Sequence, residues 1–401
     1  MKRIIKKILS VFFVLGILLN ASRLYAEDSN SSLKILWQKE YDFKDGLSYS
    51  TGSAIFDEIT NTLLVAGTSF QPIDKSNGKI WLWELDPNGN LDRKTILKDD
   101  ISKEETSIDT ASDFLKGLSV SKNRNISIME LSNDTAKWSA IKINQGANKE
   151  FISTAQPVVM KDSTSKRVLH IFKTIHFEDD SILNIGSGEG GALATKFDSE
   201  GREIWSKVYN LSNSESLIDG IATGNKDGFA VVGRAPSQET PSNDIFVLLC
   251  DAQGEIVTKD FFPGNPLQLP RICQLSSGNF IVAYSVSREV MKLMDVNIRV
   301  YTPDLKMLWE RAAIRYDKGT FSIAPLPNEG FVLVSKKHRP ETLEVYEYDK
   351  NGNETNTISM SQSIGSRFIN IACIKNKVFL IFETSYKDRK PTKVKIIALE
   401  S

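Results

Sequence analysis

Residues 196–209 read KFDSEGREIWSKVY, and this stretch contains the two elements that decide the fold. The first is the tight turn DSEG, which starts at Asp198. An Asp in such a turn accepts hydrogen bonds from backbone amides, and a Gly takes a positive φ. The second is a strand that carries Trp205, Lys207 and Tyr209 on one face, because alternate residues of a strand share a face. The stretch therefore predicts a β-hairpin.

The turn recurs along the chain at a regular period. Asp-x-x-Gly turns start at residues 86, 198, 251 and 349, degraded copies start at 144 and 302, and Glu400 stands at the equivalent point of a last copy. These starting points lie 47 to 58 residues apart, and an apolar, strand-like segment precedes each of them. A period of this length indicates a repeat architecture.

Two further markers keep a fixed order within the repeat. A large apolar residue, then a basic one and usually an aromatic one follow at alternate positions, starting at Trp37, Trp205, Val257 and Trp309. A polar turn followed by an apolar strand lies in mid-repeat, for example before Phe280. Each unit thus holds four strands, which is the format of a β-propeller blade.

The two ends of the chain complete the pattern. The chain opens with the strand that normally follows the turn and finishes with the strand that normally precedes it. Pairing residues 34–41 with 392–399 would complete one blade from both termini and leave no open sheet edge. We therefore predict an all-β fold: a seven-bladed β-propeller of four-stranded blades, closed by pairing of the N- and C-terminal strands.

Two units depart from the pattern. The second carries an acid-rich insertion at residues 98–113, and the third has a long arm through His170, His176 and Asp180. Irregular loops on a regular scaffold are where a binding surface would be sought, although drift of surface loops explains them equally.

Residues 196–209 resemble the repeats of bacterial secreted β-propellers. These include quinoprotein-type propellers, whose units carry an Asp-x-x-x-Gly-x-x-x-Trp docking element, and the outer-membrane assembly propeller lipoproteins. The turn here has one residue fewer between Asp and Gly, several copies lack the Trp, and the lipoprotein cysteine is absent. The resemblance implies the propeller fold and carries over neither an enzyme activity nor a named partner.

The first 26 residues predict a secretory signal peptide. A basic start is followed by an apolar run from Ile8 to Leu19 and by Ala26, a small residue suited to cleavage. The apolar run is shorter than the ~20 residues that span a bilayer. We expect residues 27–401 to form a single propeller domain outside the cytoplasm, either periplasmic or secreted.

The charge balance argues against a strongly charged partner. Acidic and basic residues number 50 each, so no global field favours nucleic acid or anionic lipid. No stretch after the signal is long and apolar enough to span a membrane, and we expect a monomer. The partner is predicted to be a protein or a glycan.

The three cysteines, Cys250, Cys273 and Cys373, cannot all pair, and none has a metal-type spacing. They lie in apolar, strand-like runs, which favours buried structural thiols. Export leaves one disulfide open as an alternative.

The match to GxGxxG at residues 186–191 is interpreted as a loop between strands. Dinucleotide binding needs a helix after this loop, whereas residues 192–197 read as a strand that leads into the next turn.

Oxygen-bearing residues alternate after Asp86 and again after Asp349, as they do in calcium loops. The Gly and the late Glu of the EF-hand pattern are missing, so hairpin chemistry explains these turns.

His170 and His176 share a strand face but lie about 20 Å apart at ~3.3 Å per residue, which is too far for one metal ion. His338 is isolated in a predicted loop. We predict no catalytic, cofactor-binding or metal-binding residues and no cofactor.

Two groups of residues, the tryptophans and a basic stretch, could form a binding surface but also have a structural explanation. The tryptophans, Trp37, Trp205 and Trp309, together with Trp81 and Trp83, could stack on sugars or a quinone, but their equivalence between units favours packing between blades. The basic stretch at residues 387–395 favours a solvated edge that discourages strand pairing.

Two functional hypotheses follow. The favoured one is an exported, non-catalytic binding or scaffolding propeller. The alternative is an envelope enzyme with a central-channel active site, such as a quinone-dependent dehydrogenase or a carbohydrate-active enzyme, which would need acids and bases from several blades to converge.

Overall fold

The computed structural model describes residues 33–400 with internal gaps. The gaps are residues 42–46, 71–77, 102–114, 121–125, 132–137, 146–150, 157–169, 189–190, 201, 212–214, 225–227, 237–242, 265–268, 289–292, 317–319, 339–340, 362–365 and 385–392. The regular secondary structure of the described residues consists of β-strands, which pair into antiparallel four-stranded sheets.

Six of these sheets are blades whose side chains are described. Blade 1 consists of β2 (Ser48–Asp57), β3 (Thr62–Phe70), β4 (Gly78–Leu85) and β5 (Leu91–Ile101). Blade 2 consists of β10 (His170–His176), β11 (Ile182–Gly188), β12 (Gly191–Phe197) and β13 (Glu203–Tyr209). Blade 3 consists of β14 (Ser216–Ala222), β15 (Phe229–Pro236), β16 (Asn243–Cys250) and β17 (Ile256–Pro263). Blade 4 consists of β18 (Arg271–Gln274), β19 (Phe280–Arg288), β20 (Leu293–Tyr301) and β21 (Met307–Tyr316). Blade 5 consists of β22 (Phe321–Pro325), β23 (Phe331–His338), β24 (Glu341–Tyr348) and β25 (Glu354–Ser361). Blade 6 consists of β26 (Ser366–Ile374), β27 (Lys377–Thr384), β28 (Lys393–Glu400) and β1 (Lys34–Tyr41).

The predicted count of seven blades is corrected to six blades that are described with their side chains. Between blades 1 and 2 lies an intervening sheet of β6 (Leu115–Val120), β7 (Ile126–Leu131), β8 (Trp138–Gln145) and β9 (Phe151–Gln156). Only the strands of this sheet and their pairing are described. It falls where the repeat markers fail, since β8 and β9 are not joined by an Asp-x-x-Gly turn. The sequence markers therefore did not establish this unit as a regular blade.

The termini complete blade 6, as the sequence pattern predicts. β1 pairs antiparallel with β28 from Lys34 opposite Glu400 to Tyr41 opposite Val394. Lys393 adds an ion pair to Glu40, with Nζ 2.9 Å from Oε1. The N-terminal strand is thus the outer strand of a blade whose other three strands come from the C-terminal end.

The hydrophobic core lies between neighbouring blades. Strands in the middle of a blade are buried on both faces, so β12 is buried throughout, whereas the outer strand β13 alternates between exposed and half-buried residues. At the seam between blades 6 and 1, Trp81 and Trp83 are fully buried and stack with ring centroids 4.0 Å apart. Fully burying a large apolar side chain stabilises a fold by about 1.5–3 kcal/mol. The interpretation of these two tryptophans as packing residues is confirmed.

A tryptophan on the outer strand of one blade docks on the turn of the next blade. The Trp37 indole donates from Nε1 to the Pro87 carbonyl at 2.9 Å, and Trp205 donates to the Ala252 carbonyl at 3.1 Å. Two residues after each acceptor stands a Gly, Gly89 or Gly254, with φ +72° or +76°. The indole lies directly over that glycine, because an added Cβ on Gly89 would lie 2.6 Å from Cη2 of Trp37. The prediction that these tryptophans pack between blades is confirmed.

The other residues of the signature strengthen the same contact. The Tyr41 and Tyr209 hydroxyls donate to the carbonyls of Gly89 and Gly254, both at 2.8 Å. Arg311, on the strand of Trp309, donates to the Gly352 carbonyl at 2.5 Å. The alternating pattern thus encodes a connection between blades through the turn backbone.

The seam between blades 3 and 4 uses a different pair of residues. Pairing of β16 with β17 places Thr258 opposite Leu249, where Trp205 lies opposite Lys196 in blade 2. The turn of blade 4 has Leu305 at the glycine position, with φ +63° and a buried side chain. At this seam, the Leu305 side chain of the turn therefore occupies the place that a docked tryptophan occupies at the seams of Trp37 and Trp205.

The sequence alignment of this strand needs a correction by one residue. Val257 was placed in the series of Trp205, but it is 63% exposed at the bulge position, and Phe261 is 41% exposed. The buried aromatic that corresponds to Tyr209 is Phe262. A shift of one residue exchanges the two faces of a strand, so the alternating pattern alone did not fix the register.

No helix in the described part of the chain is long and apolar enough to cross a membrane.

Candidate functional site

The inner strands of the six described blades surround a central channel. Its cavity has a volume of about 680 Å³ and is lined by residues of β2, β10, β14, β22 and β26 and by Gln274 of β18. The inner strands and the third strands of the blades run in the same direction. The channel therefore opens at the end of the ring that carries the Asp-x-x-Gly turns, which we call the turn face.

Four inner strands of the six blades contain a bulge at the same depth of the channel, and β6 of the intervening sheet has the same register shift before Gly117. The pairing register shifts just before Ser53, Lys173, Asp219 and Asn370. A bulge re-aims the side chain that follows it. Each of these four residues is polar. We call the four residues the polar ring.

Asp219 connects three neighbouring inner strands. Its Oδ2 accepts a hydrogen bond from the Ile272 amide of blade 4 at 3.2 Å, and its Oδ1 accepts one from the Gly220 amide at 3.0 Å. The Lys173 ammonium of blade 2 lies 3.4 Å from Oδ1. The Asp219 side chain is only 8% exposed, so these contacts replace the water that a carboxylate would otherwise bind.

Asn370 makes the corresponding contact on the opposite side of the ring. Its Nδ2 donates to the Ala54 carbonyl of blade 1 at 3.4 Å, and its Oδ1 accepts from the Ile371 amide at 2.8 Å. Ala54 directly follows Ser53 of the polar ring. The residue after the bulge thus bonds the backbone of the next inner strand, which makes the polar ring a structural connection between blades.

At the turn-face mouth of the channel the lining changes character. Glu58, His176 and Lys375 stand where inner strands end or turn, and all three line the cavity. Lys375 has φ +46°, an unusual backbone conformation for a residue with a side chain. The mouth therefore offers charged and polar groups on short turns, whereas deeper groups are engaged in the ring.

Residues 186–191 connect two strands, as predicted, but they are not all loop: residues 186–188 belong to β11, and Gly191 begins β12. They join β11 to β12, which pair antiparallel from Gly188 opposite Gly191 onward. Gly191 has φ +142°, and an added Cβ would lie 2.9 Å from the Tyr209 carbonyl oxygen. No helix follows, so this glycine-rich segment lacks the helix N-terminus that a pyrophosphate requires.

The turns weighed as calcium loops are hairpin turns. The Asp86 carboxylate accepts hydrogen bonds from the amides of Asn88 and Asn90, at 2.8 and 2.7 Å, and from the Asn90 side chain at 2.7 Å. Slight burial raises the pKa of the Asp86 carboxyl, but the hydrogen bonds lower this pKa more, so it lies below its usual range. Asp349 makes the same contacts with Asn351 and Asn353. The carboxylates are occupied by the turn itself.

The histidines are not brought together with other ligands in the described part of the chain. His176 lines the channel mouth, while the side chains of His170 and His338 lie outside the described residues. No group of three or more His, Cys, Asp and Glu among the described residues is placed to hold a metal ion.

All three cysteines are free. Cys250 and Cys273 are buried, and Cys373 is half-buried against the channel. Burial raises the pKa of Cys250 to about 12 and raises the pKa of the other two thiols further. They are therefore protonated thiols at neutral pH and poor nucleophiles. The disulfide alternative is not realised.

The irregular segments add little to the described site. The acid-rich insertion begins within β5, whose residues 98–101 pair with β4, and its residues 102–113 lie outside the described residues, as does most of the basic stretch. Of that stretch, Lys393 pairs with Glu40, and Lys395 has a lowered pKa because it is partly buried. These two lysines belong to the closing strand.

A cluster of charged and aromatic groups crosses the seam between blades 3 and 4. The Arg299 guanidinium lies 3.2 Å from Asp260 and 2.8 Å from Glu310, and its centre lies 3.9 Å from the Phe262 ring centroid. The Tyr301 hydroxyl donates to Asp260 at 2.8 Å. This ion pair network stands at the seam that lacks a docked tryptophan, so we assign it a structural role.

Replacing Arg299 with Met is expected to destabilise the protein by about 2–3 kcal/mol, because two neighbouring carboxylates then face each other without a cation. Burial raises the pKa of Glu310, but hydrogen bonds from Tyr284 and Arg299 lower this pKa more, so it lies below its usual range. Its contribution is therefore present above the unfolded pKa of about 4.3 and is lost as the pH falls through the lower folded value. Urea unfolding at pH 7 measures the effect.

Arg202 provides the matched control. It pairs with Asp198 and Glu200 on the surface, where its side chain is 75% exposed, so Arg202→Met is expected to leave the free energy of unfolding essentially unchanged. Equal effects of the two substitutions would contradict the structural role of the Arg299 cluster.

Comparison with known proteins reveals similarity of fold. No protein-family model matches the chain, and no curated protein matches its sequence. Among solved structures, the chain is similar to the β-propeller domain of the Trilobed protease from Pyrococcus furiosus, with TM-score 0.52, 10% identity, and coverage of 87% of this chain and 93% of that one.

Two further structures are similar over most of their length. Drosophila Plexin A in complex with Semaphorin 1b has TM-score 0.52 and 8% identity, covering 92% of this chain and 87% of that one. Polysaccharide lyase Uly1 has TM-score 0.55 and 10% identity, covering 88% and 90%. Identities this low establish the fold alone. The chain is an all-β β-propeller with four-stranded blades.

Sequence reasoning missed the polar ring. Lys173, Asp219 and Asn370 each interrupt an apolar strand, but they precede the next strand by 9, 10 and 7 residues, at Ile182, Phe229 and Lys377. Unequal turns after the inner strands hide the common position. A polar residue within an apolar run was the available signal.

Proposed function

We propose that this chain is an exported, non-catalytic propeller that binds a partner protein at the turn-face mouth of its channel. Export is supported by the signal pattern of residues 1–26. The solved structures include a protease domain, a receptor in complex with another protein, and a lyase, so the fold is compatible with binding and with catalysis. The choice rests on the site.

One observation carries the proposal. A channel enzyme needs an acid and a base that face a substrate. Lys173 lines the channel, and among the described residues it forms an ion pair with Asp219, which is buried on the neighbouring inner strand. Asp219 is committed to two backbone amides and to Lys173, which together hold three inner strands. Of the described charged residues that line the cavity, Glu58 and Lys375 stand at the mouth, where a large partner can reach them. This arrangement favours binding.

The mouth also has the chemistry of a protein-binding surface. Glu58, His176 and Lys375 provide both signs of charge around apolar strand ends such as Ile221 and Ile323. Mixed polar rims around an apolar centre are typical of interfaces between proteins. The indole rings of Trp37 and Trp205, which could stack on a sugar, are instead docked between neighbouring blades.

Site-specific photo-cross-linking in cells that produce the chain tests the proposal. A photoreactive residue in place of Glu58 or Lys375 is expected to form an adduct with another protein. The control places it at Ile204, which is 53% exposed on the outer strand of blade 2. Adducts from Ile204 with none from the mouth would contradict the proposal.

A further inference from the structure

The channel cavity begins at the depth of the polar ring. Its lining along β2, β10 and β26 starts at Ser53, Lys173 and Asn370, whereas the buried Asp219 does not line it. His176, the last residue of β10, stands at the mouth, three residues beyond Lys173. At ~3.3 Å per residue, the polar ring therefore lies about 10 Å below the mouth. We call this end of the cavity the channel floor.

The hydrogen-bond acceptors of the polar ring are already bonded within the protein. Both carboxylate oxygens of Asp219 accept from backbone amides, those of Gly220 and Ile272. The side-chain oxygen of Asn370 accepts from the Ile371 amide. A ligand that reaches the channel floor as a hydrogen-bond donor thus finds these acceptors in use.

The donors of the polar ring are less fully used. The Lys173 ammonium lies 3.4 Å from Asp219, which is longer than the ~2.7–2.9 Å of a charge-assisted hydrogen bond, and the Lys173 side chain is 46% exposed. The Asn370 amide group has two N–H bonds and uses one of them on the Ala54 carbonyl. Ser53 adds a half-buried hydroxyl. The channel floor therefore presents an ammonium and two further donors.

This combination of groups suits a carboxylate. An ionised carboxylate accepts hydrogen bonds at both oxygens and donates none. At the channel floor it meets the ammonium of Lys173 as a counter-ion, with hydroxyl and amide donors at the same level of the channel. Asp219 keeps its backbone bonds in the presence of such a ligand, since its oxygens face the amides of the neighbouring strands.

The dimensions of the channel select a chain terminus as the carrier of this carboxylate. The depth of about 10 Å exceeds the length of an Asp or Glu side chain, so a carboxylate on a flat protein surface stops short of Lys173. Divided by this depth, the volume of about 680 Å³ gives a mean cross-section of roughly 70 Å². One extended chain fills about 50 Å², because strands lie ~4.8 Å apart and stacked sheets ~10 Å apart. One chain fits, whereas the two chains of a returning loop do not.

We infer that the channel binds the C-terminal segment of the partner protein, with its terminal carboxylate beside Lys173 at the channel floor. This inference rests on the proposed function, since it concerns the partner bound at the mouth. At ~3.3 Å per residue, the channel holds about three residues of that segment. The partner must therefore end in an accessible, unmodified C-terminus, which contact with the mouth alone does not require.

Peptide binding to the purified chain tests the inference before the partner is known. The probe is a fluorescent random heptapeptide library, made once with a free C-terminal carboxylate and once with a C-terminal amide. Peptides selected from the carboxylate library are expected to bind at least about tenfold more tightly than their amidated copies, because amidation removes the charge that faces Lys173. Equal affinity of the two forms, or binding by neither, would overturn the inference.

Lys173→Met is the decisive variant, and it is expected to weaken the selected peptides about tenfold or more. Lys173→Arg keeps the charge and is expected to retain their affinity within about threefold. Lys306→Met is the matched control, since Lys306 is 80% exposed on a turn of blade 4 and does not line the channel. Equal losses in Lys173→Met and Lys306→Met would indicate a general effect of charge and overturn the inference. If Lys173→Met does not fold, the comparison of free and amidated peptides on the wild-type chain remains decisive.

An acidic glycan is a different carrier of carboxylates, and tetragalacturonate is the probe for it. It is expected not to bind, because a sugar ring is wider than an extended peptide and its carboxylates lie along the chain. Binding of tetragalacturonate that Lys173→Met abolishes, with no peptide bound, would overturn the inference.

Cross-linking separates the inference from the proposed function. A photoreactive residue in place of Glu58 is expected to form its adduct near the C-terminus of the captured protein, and Lys173→Met is expected to lower the yield about tenfold. Adducts on an internal segment, with a yield that Lys173→Met leaves unchanged, would overturn the inference and leave the proposed function standing. No adduct from Glu58 or from Lys375 would overturn the proposed function.

Discussion

A chain that begins at residue 42, and so lacks β1, is expected to lose cooperative folding. β1 provides the outer strand of blade 6, and it pairs along its whole length with β28. It also carries Trp37 and Tyr41, which bond the turn of blade 1. Its loss exposes an edge of β28 and disconnects two blades. We expect a loss on the order of 5 kcal/mol or more, which approaches the total stability of an ordinary domain. Calorimetry of the purified chain measures it.

Complementation in trans provides the control for this truncation. A synthetic peptide of residues 33–41 is expected to restore a cooperative transition, and the same peptide with Trp37→Ala is expected to restore it less. If the truncated chain melts like the full chain, or if both peptides act equally, the closing role of β1 is refuted.

Gly254→Ala is expected to destabilise the protein by about 2–4 kcal/mol. About 1–2 kcal/mol follows from placing a Cβ on a backbone with positive φ, which is +76° here. The remainder follows from overpacking, since the new Cβ would lie 2.8 Å from Cη2 of Trp205. The shift also weakens the bonds that Trp205 and Tyr209 make to this turn. Chemical denaturation gives the free energy of unfolding.

Gly224→Ala is the matched control, because its φ is not positive and, among the described residues other than its chain neighbours, no atom lies within 4 Å of its added Cβ. It is expected to change stability by less than about 0.5 kcal/mol. The seam between blades 3 and 4 supplies a second test, since it uses Thr258 and Leu305 instead. The double variant Trp205→Thr/Gly254→Leu should be less destabilised than the sum of its single variants. Additive effects would contradict the proposed exchange of side chains.

The repeat architecture was predictable because its markers are local. An Asp and a Gly three residues apart form a turn through their own backbone, and the turns at 86–89, 251–254 and 349–352 each show this bond pattern. The docking of Trp37 and Trp205 was predictable from their equivalent spacing. These features need no knowledge of distant residues.

Register and blade count were harder to predict, because they depend on contacts between strands. The bulge at Val257 moves one residue out of the alternation, so the pattern matched the wrong face. The intervening sheet of β6–β9 lacks the turn marker, and the count of regular units failed there. Neither the bulge nor the missing turn marker changes the local composition or hydrophobicity enough to be detected in the sequence.

The candidate site could be predicted only in part. The absence of a nucleophile pattern was apparent, but the positions of Asp219 and Asn370 beside neighbouring strands follow from bulges that the sequence does not mark. Comparison between blades of one chain reveals such differences, and the linear pattern does not.

The central claim is that the acid and the base inside the channel hold the ring together rather than perform chemistry. A double-mutant cycle on Lys173→Met and Asp219→Asn, measured by the free energy of unfolding, tests it most directly. Asp219→Asn is expected to cost about 1–3 kcal/mol, because the Asn side chain has one acceptor oxygen, and its NH2 group cannot accept the second backbone hydrogen bond. Lys173→Met is expected to cost less than about 1 kcal/mol, since its side chain is 46% exposed, with a coupling between the two of at least about 0.5 kcal/mol. Wild-type stability in both single variants would instead show a pair that is free to act on a substrate, which would contradict the account.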